Sequence, residues 1–218
     1  MDDINAQAII PGPFADLFSG AAATGNIPVD AATFLRYHGL PHTSDHCARV
    51  AQEAVLLARR FGAQPDQAQT AGWLHDISAV YPNSVRVKVA RSAGIRVLPE
   101  EEQAPMILHQ KLSAAMARAL FSVTDQEILG AIRVHTTLRP DATLLDKVVF
   151  VADKIAWDQK GSPPYLNGLL DALDISLDRA VFQYLGHLWQ RRHQLLVIHP
   201  WFAAAYHDMR AQTETTGA

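Results

Sequence analysis

Residues 135–154 read HTTLRPDATLLDKVVFVADK. Within this stretch, Thr143 is followed three residues later by Asp146, a carboxylate variant of the capping box that marks the first turn of a helix. The residues that follow are almost all apolar, so we expect this helix to be buried. Asp153 interrupts the apolar run, and a buried aspartate needs an ion pair, hydrogen bonds or a bound cation. The stretch therefore predicts a core helix that turns one carboxylate inward.

Proline and glycine divide the rest of the chain into segments whose apolar residues recur with a helical period. Six predicted helices cover 44–61, 65–77, 105–120, 165–172, 176–196 and 200–211. Four more are a helix that ends near Gly39, one that follows Pro82 and Asn83 and ends at Gly94, one that begins at a capping box of Thr124 with Glu127 and reaches His135, and one through Asp153. No alternating strand pattern and no internal repeat is present. The predicted fold class is therefore all-α.

Three regions are expected along the chain. Residues 1–27 form an N-terminal appendage, with at most one short helix around Phe14, Leu17 and Phe18. Residues 28–160 form the domain that carries the chemistry, and residues 161–212 add C-terminal helices packed on the same domain. The polar tail from Thr213 is expected to fray.

Composition limits the functions that remain open. The chain has 218 residues, of which 49% are hydrophobic, enough to build a substantial core. A net charge of −3 argues against nucleic acid as a partner. Cys47 is the single cysteine, which excludes an intramolecular disulfide and a thiolate-cluster metal site and favours a reducing compartment. Because the start is acidic and no apolar run approaches the roughly 20 residues of a membrane span, we expect a cytoplasmic protein without membrane contact.

One histidine of each of four predicted helices lies on the apolar face. The faces are His46 with Val50 and Ala54, His75 with Ala68 and Ala71, His109 with Leu112 and Met116, and His135 with Ile128 and Ile132. Burial of an imidazole without a partner costs on the order of 1–3 kcal/mol. Convergence of these side chains on a common ligand would remove that cost.

Imidazole is the commonest metal ligand, and a carboxylate can bridge two cations. The expected metal ligands are His46, His75, Asp76, His109, His135 and Asp153, with His75 and Asp76 also assigned to catalysis. Such a set is large enough to hold two metals about 3.5–4 Å apart, an arrangement that activates water and binds the oxygens of a phosphoryl group during displacement. Ligation by histidine without cysteine suits Fe, Mn, Zn, Co or Ni.

A structural interpretation stands beside each of these assignments. A lone buried histidine is more often a hydrogen-bonded core residue than a ligand, and an adjacent His-Asp pair also occurs by chance. It is the conjunction of six such residues that favours a metal centre. The histidines left outside the predicted ligand set are His38, His42, His187, His193, His199 and His207, and His42 is the exclusion with the weakest grounds.

Taken in order, four segments resemble the HD superfamily of metal-dependent phosphohydrolases. They are His46-Cys-Ala-Arg-Val, Gly72-Trp-Leu-His-Asp-Ile, His135-Thr-Thr-Leu-Arg-Pro and the run from Leu144 to Lys154. The resemblance spans roughly residues 35–160 and extends to the YqeK-type branch, which cleaves diadenosine tetraphosphate symmetrically into two ADP. It implies an HD-domain helical bundle in which the same six residues hold a dinuclear, typically iron-containing centre.

The sequence departs from the superfamily pattern at Ala79. A lysine often stands three residues after the aspartate of the His-Asp pair, where it contacts substrate phosphate. The cations expected to contact phosphate instead are Lys111, Arg133, Arg139 and Lys154, with solvated faces or structural ion pairs as the alternative. The aromatic residues Trp157, Trp189, Trp201 and Phe202 are expected to pack in the core, with stacking on a nucleobase as the alternative for one of them.

The predicted function is hydrolysis of a nucleotide polyphosphate, foremost diadenosine tetraphosphate, by a centre of two divalent or trivalent metal ions. Iron is the expected metal, and Mn, Co, Ni and Zn are compatible with the ligands. The alternatives are a phosphomonoesterase or a guanosine polyphosphate hydrolase on the same scaffold, and a regulatory module without turnover. The predicted partner is a nucleotide or another phosphorylated small molecule. A homodimer is compatible with the sequence, which does not fix the oligomeric state.

Overall fold

The computed structural model describes Phe14, Asp16, Leu17 and residues 24–215, with side chains as far as Thr213. Within these residues the chain is helical and contains no strand, which confirms the all-α prediction. The α-helices are α1 (Ile27–Tyr37), α2 (Pro41–Phe61), α3 (Pro65–Leu74), α4 (Asn83–Ser92), α5 (Pro99–Gln103), α6 (His109–Phe121), α7 (Gln126–Val134), α8 (Leu144–Ile155), α9 (Leu166–Ile175), α10 (Leu177–Gln190) and α11 (Pro200–Thr215). Shorter 3₁₀ helices cover Ile77–Val80, Pro105–Leu108 and Arg192–Gln194.

Helix α8 lies in the centre of the molecule. The Thr143 hydroxyl accepts a hydrogen bond from the Asp146 amide at 3.1 Å, and the Asp146 carboxylate accepts one from the Thr143 amide at 3.0 Å. This is the predicted capping box, and it satisfies amides that would otherwise lack partners at the helix start. Beyond it, Val148 and Phe150 are fully buried, and α8 contacts α2, α3, α7 and α10.

Helices α2 and α3 pack closely against one another at Gly72. A Cβ atom placed on Gly72 would lie 2.6 Å from the Cα of Ala51 and 2.8 Å from its amide nitrogen. Both neighbouring atoms belong to the backbone and cannot rotate away, so glycine is needed for this approach. The contact fixes α2, which carries His46, against the end of α3, which leads into His75.

Several predicted helix boundaries are wrong. The third helix ends at Leu74 instead of about 77, and 105–120 divides into the 3₁₀ helix Pro105–Leu108 followed by α6. The helix predicted over 176–196 ends at Gln190, and α5 was not predicted at all. The N-cap of α7 is Asp125, not Thr124, because the Asp125 carboxylate accepts hydrogen bonds from two first-turn amides at 2.8 and 3.4 Å.

The ends of the chain are described in part. Most of residues 1–27, including Phe18 of the predicted short helix, lies outside the described residues. Phe14 is described and is buried, with its ring 6.4 Å from that of Tyr81. Helix α11 runs to Thr215, and residues 216–218 lie outside the described residues, so fraying of the tail stays a prediction.

The C-terminal helices contact the helices that precede them. Arg60 of α2 donates to the carbonyl of Leu173 at 2.9 Å, and Lys147 of α8 pairs with Asp178 at 2.8 Å. The division of the chain at residue 160 stays a prediction. Over the part of the chain that the structure describes, no helix is both long enough and apolar enough to cross a membrane.

Candidate metal centre

The six residues expected to bind metal come together at the ends of several helices. His46 lies within α2, His75 and Asp76 directly follow α3, His109 is the first residue of α6, His135 directly follows α7, and Asp153 lies in the last turn of α8. His46, His75 and His135 are buried. The structure therefore places side chains from five helices or their ends in one cluster in the interior.

Each of the four histidines forms a hydrogen bond through Nδ1 to a backbone carbonyl. The distances are 3.1 Å from His46 to Ala156, 2.7 Å from His75 to Gly72, 2.5 Å from His109 to Met106 and 2.8 Å from His135 to Ile132. A carbonyl oxygen can only accept, so the ring proton must be on Nδ1 in each neutral imidazole. The tautomer fixed in this way leaves a lone pair on every Nε2.

These Nε2 atoms approach one another in pairs. The Nε2 atoms of His46 and His75 are 3.2 Å apart, and those of His109 and His135 are 2.9 Å apart. When both imidazoles of a pair are neutral, two lone pairs at such distances repel, because neither Nε2 carries a proton to share. The Thr136 hydroxyl, 3.0 Å from the His109 Nε2, can donate to one of the four. A cation between each pair would turn the remaining repulsion into coordination.

Asp76 connects the two histidine pairs. Its Oδ2 lies 3.6 Å from the His75 Nε2, while its Oδ1 lies 3.4 Å from the His109 Nε2 and 3.6 Å from the His135 Nε2. Two groups of possible ligands result, which share this carboxylate. The first pocket contains His46, His75 and Asp76, and the second pocket contains Asp76, His109 and His135.

Asp153 supplements the first pocket. Its Oδ1 lies 3.2 Å from the His46 Nε2 and 3.6 Å from the His75 Nε2. Its other oxygen accepts a hydrogen bond from the Lys154 ammonium at 2.5 Å. Burial alone raises the pKa of Asp153, but Lys154 and the neighbouring histidines reverse this effect and hold the pKa well below its usual range. The carboxylate is therefore ionised and available as a ligand.

The charges around Asp76 also favour metal binding. Burial raises the pKa of Asp76, but the interactions with His75, His109 and His135 outweigh burial and lower the pKa well below its usual range. In contrast, burial lowers the pKa of both His109 and His135, which keeps their imidazoles neutral, the form that coordinates metal. The second pocket thus combines one anion with two neutral nitrogen donors.

The pKa of His75 shifts in the opposite direction from those of His109 and His135. Burial lowers its pKa, but the charge of Asp76, together with Cys47 and Asp153, raises the pKa well above its ordinary value. The carboxylates that favour a proton at this imidazole favour a metal cation at the same atom. The residues present therefore fit a pair of metal ions in donor type, tautomer and charge.

Three of the six clustered side chains are partly exposed to solvent. The side chains of Asp76, His109 and Asp153 retain 27%, 20% and 17% of their exposure, respectively, whereas the side chain of His75 retains none. We call these three partly exposed residues the mouth of the centre. A molecule from solvent would meet the mouth before it reached the buried histidines.

The four cations expected to contact substrate have partners within the protein. Lys111 is buried, with Nζ 2.8 Å from Glu101 and 3.1 Å from the Arg96 carbonyl. Arg139 pairs with Asp146 at 2.8 Å. Lys154 pairs with Asp153 and also donates to the His135 carbonyl at 3.0 Å. The Arg133 guanidinium lies 5.7 Å from the centre of the Trp201 ring. Substrate binding by these residues stays a prediction. The sequence did not indicate a further role of Lys154. Its ammonium donates hydrogen bonds to the Asp153 carboxylate and to the carbonyl of His135.

Most of the aromatic residues named from the sequence pack against the protein itself. Trp189 lies 5.9 Å from Phe202, and the Lys111 ammonium lies 4.8 Å from the Trp201 ring. The Lys154 ammonium lies 4.8 Å from the Phe150 ring and 5.6 Å from the Tyr184 ring, and the Tyr165 hydroxyl donates to the Lys154 carbonyl at 3.2 Å. Sequence reasoning missed both tyrosines, because aromatic spacing does not reveal which ring borders a site formed by other helices.

Comparison with known proteins yields a family and several relatives. The model of the HD domain matches residues 43–158. A protein of Lactococcus lactis subsp. cremoris, described as an uncharacterized protein in the pepC 5' region, is 46% identical over 146 residues, which are 67% of this chain and 74% of that protein. The symmetrical bis(5'-nucleosyl)-tetraphosphatase of Bacillus subtilis is 36% identical over 115 residues, which are 52% of this chain and 61% of that protein.

A solved structure shows the same fold. It is that of a predicted HD superfamily hydrolase involved in NAD metabolism from Clostridium acetobutylicum, with a TM-score of 0.75 and 22% identity. The alignment covers 88% of this chain and all of the other. The matched family segment begins before His46 and ends after Asp153, so it contains all six clustered residues. This protein belongs to the HD domain family.

Proposed function

We propose that this protein is a metal-dependent phosphohydrolase that cleaves diadenosine tetraphosphate symmetrically into two ADP. The observation that carries the proposal is the pair of ligand pockets that share Asp76. Relatives from Bacillus subtilis and Halalkalibacterium halodurans, named symmetrical bis(5'-nucleosyl)-tetraphosphatases, support the choice of substrate at 36% and 30% identity. The matched segments cover 61% and 66% of these two relatives.

In this proposal the first pocket, supplemented by Asp153, holds one metal and the second pocket holds the other. Bound metals supply Lewis acidity, which lowers the pKa of water and neutralises charge on phosphate oxygens. Iron is the metal we expect, in a cytoplasmic protein whose single cysteine is buried. The Nδ1 hydrogen bonds hold the four imidazoles in the coordinating tautomer before any metal arrives.

The chain's own residues position the substrate. The mouth presents Asp76, His109 and Asp153 to solvent, and the polyphosphate approaches the metals past these side chains. Lys154 keeps Asp153 ionised and oriented, while the Thr136 hydroxyl lies 3.0 Å from the His109 Nε2 at the second pocket. The buried walls behind the histidines exclude bulk water, which strengthens electrostatic interactions with the phosphates.

Product analysis tests the proposal. The purified protein is reconstituted separately with Fe²⁺ and Mn²⁺, incubated with diadenosine tetraphosphate, and the products are separated by anion-exchange chromatography. We expect ADP alone, no reaction after chelation, and no reaction by an Asp76→Ala variant prepared in the same way. ATP together with AMP would contradict symmetrical cleavage.

The rival functions give different results in the same experiment. Turnover of nucleoside monophosphates or guanosine polyphosphates, with diadenosine tetraphosphate left intact, would identify another phosphohydrolase on this scaffold. Metal retention without turnover of any of these phosphoesters would identify a regulatory module. Both results would overturn the proposed substrate.

A further inference from the structure

Arg86 lies beside the mouth of the centre. It belongs to α4, which follows the 3₁₀ helix Ile77–Val80 that leads away from Asp76. Its Nε donates to the carbonyl of Tyr81 and its Nη1 donates to the carbonyl of Met106, both at 3.0 Å. The Met106 carbonyl also accepts from the His109 Nδ1 at 2.5 Å. A single acceptor therefore links the guanidinium to a ring at the mouth.

The charge of Arg86 acts on the residues of the mouth. Burial lowers the pKa of Arg86, and the negative charge of Asp76 acts in the opposite direction. Burial likewise lowers the pKa of His109, and Arg86 adds to this effect. Arg86 remains charged at every physiological pH, because the guanidinium is among the weakest acids in proteins. Since the side chain is partly buried, water screens its field less than that of an exposed cation.

Arg86 also has donors to spare. A guanidinium carries five N–H groups, and the hydrogen bonds to Tyr81 and Met106 use two of them. The Nη2 atom of Arg86 forms no hydrogen bond to any residue that the structure describes. By comparison, Lys111 is engaged with Glu101 and Lys154 with Asp153. Two fixed hydrogen bonds hold the planar group in place, so little side-chain entropy is lost when the free edge binds an anion.

We propose that Arg86 binds a phosphate oxygen of the substrate at the mouth, next to Asp76 and His109. The inference rests on the proposed function for the identity of the substrate, and it adds a phosphate-binding residue that the sequence did not nominate. Ala79 lies on the 3₁₀ helix between Asp76 and α4, and its side chain is uncharged. The cation that binds phosphate near Asp76 is therefore Arg86 of α4. Arg86 binds and orients the polyphosphate and takes no proton from it.

The experiment compares two substitutions with a control on the same helix. Arg86→Gln removes the charge but keeps an N–H₂ group that can donate to a carbonyl, whereas Arg86→Lys keeps the charge. Arg91→Gln is the matched control, because Arg91 is an exposed residue of α4 that pairs with Glu102. Calorimetry measures ADP binding to the manganese-loaded proteins without free metal, metal content is determined on each sample, and steady-state kinetics follow diadenosine tetraphosphate.

We expect Arg86→Gln to weaken ADP binding about 10- to 100-fold, the usual value of a hydrogen bond to a charged group. Arg86→Lys should recover most of this loss, while Arg91→Gln should bind like the wild type, and all four proteins should hold the same metal. In the kinetics, the KM of Arg86→Gln should rise more than its kcat falls. Unchanged ADP binding by Arg86→Gln would overturn the inference.

Two other outcomes distinguish failure of this inference from failure of the proposed function. Equal losses in both Arg86 variants, accompanied by loss of metal, would make Arg86 a structural brace for the Met106 carbonyl and would also overturn the inference. If the wild type leaves diadenosine tetraphosphate intact but ADP binding follows the expected order, the proposed function fails and the phosphate site at Arg86 stands.

Discussion

At the scale of single residues, the backbone decides what the four histidines can do. Each Nδ1 donates to a carbonyl at 2.5–3.1 Å, so the rings cannot rotate or change tautomer without losing a buried hydrogen bond. In three cases the acceptor lies three residues earlier in the chain, as for His75 with Gly72. Local helix geometry therefore aims the Nε2 lone pairs before any long-range contact forms.

Removal of a central ligand should abolish hydrolysis, with loss of one metal ion in His75→Ala and of both in Asp76→Ala. We expect His75→Ala and Asp76→Ala each to lower activity by more than the roughly 10- to 100-fold typical of outer-shell partners. Helical content should change little, because neither residue lies within an α-helix. Metal analysis, circular dichroism and the diadenosine tetraphosphate assay test this expectation.

His193→Ala and Asp171→Ala are suitable controls, since both residues are exposed and far along the chain from the cluster. They should retain full activity and metal. Full activity in His75→Ala or Asp76→Ala would show that the chemistry lies elsewhere.

At the scale of helices, the contact between α2 and α3 sets the position of the first pocket. His46 lies on α2 and His75 directly follows α3, and the two helices meet where Gly72 faces Ala51. The Gly72 carbonyl is also the acceptor for the His75 Nδ1. Any change that separates these helices should move both imidazoles apart.

A methyl group at this contact should destabilise the protein. Gly72→Ala would place its Cβ 2.6 Å from a backbone atom of Ala51, and overpacking of this kind costs about 1–3 kcal/mol. We expect a lower denaturation midpoint together with reduced metal content. The experiment is chemical denaturation of the metal-free and metal-loaded proteins.

Gly186 provides a matched control on α10, because a Cβ added there meets no atom within 4 Å. Gly186→Ala should be neutral or should stabilise the protein by up to about 1 kcal/mol, the difference in helix propensity. If both variants behaved alike, the close approach of α2 and α3 would not limit the fold.

The sequence predicted most helices but not all their ends. The capping box of Thr143 with Asp146 located α8, and proline and glycine punctuation located α2 and α4. It could not locate the end of α3, because residues 74–77 contain no helix breaker. The chain turns there through long-range contacts instead: the Ser78 hydroxyl donates to the His109 carbonyl at 2.9 Å, and the Ser78 amide donates to the Ser113 hydroxyl at 3.2 Å.

The sequence predicted which histidines turn inward at the site, but not the distances between them. Helical periodicity indicated that four histidines turn inward, and they meet in two pairs, His46 with His75 and His109 with His135. Periodicity gives the face of a helix but not the distance between two helices, so it could not reveal the paired Nε2 atoms. For the same reason the sequence did not reveal Arg86, whose guanidinium is held by the carbonyls of Tyr81 and Met106, 25 residues apart in the chain.

At the scale of the whole molecule, a buried ionic cluster joins three parts of the chain. Glu101 of α5 pairs with Lys111 of α6 at 2.8 Å and with His199, just before α11, at 3.3 Å. All three residues are buried, and the Trp201 ring lies 4.8 Å from the Lys111 ammonium. The ionic cluster thereby fixes the start of α11 against the helices that carry the candidate metal ligands.

Loss of one partner should be costly because it leaves the other charge buried. We expect Lys111→Met to destabilise the protein by about 3–5 kcal/mol, and the double variant Lys111→Met with Glu101→Leu to lose much less. Thermal and chemical denaturation of the two variants measure the difference. A raised KM for Lys111→Met with unchanged stability would instead support the substrate contact predicted for Lys111.

The same cluster predicts a dependence on acid. Burial raises the pKa of Glu101, but hydrogen bonds from His199 and Lys111 outweigh burial and lower the pKa below its ordinary value of 4.5. A depressed carboxyl pKa stabilises the folded state above the ordinary value, and this contribution is lost as the pH falls through the folded-state pKa. The free energy of unfolding of the wild type should therefore exceed that of Glu101→Gln at pH near 7, and the difference should shrink in acid below the ordinary value. A difference that does not vary with pH would contradict this role of the carboxylate.

The central claim is that one carboxylate is shared by two metal pockets, and metal content measures it directly. Four proteins are loaded with Mn²⁺ under the same conditions and freed of excess metal: the wild type, His46→Ala, His135→Ala and Asp76→Ala. The manganese content of each protein is then measured by elemental mass spectrometry. Two pockets that meet at Asp76 predict two ions per chain in the wild type, one in each histidine variant and none in Asp76→Ala. A single ion in the wild type, or Asp76→Ala protein that retains as much metal as the histidine variants, would contradict a shared dinuclear centre.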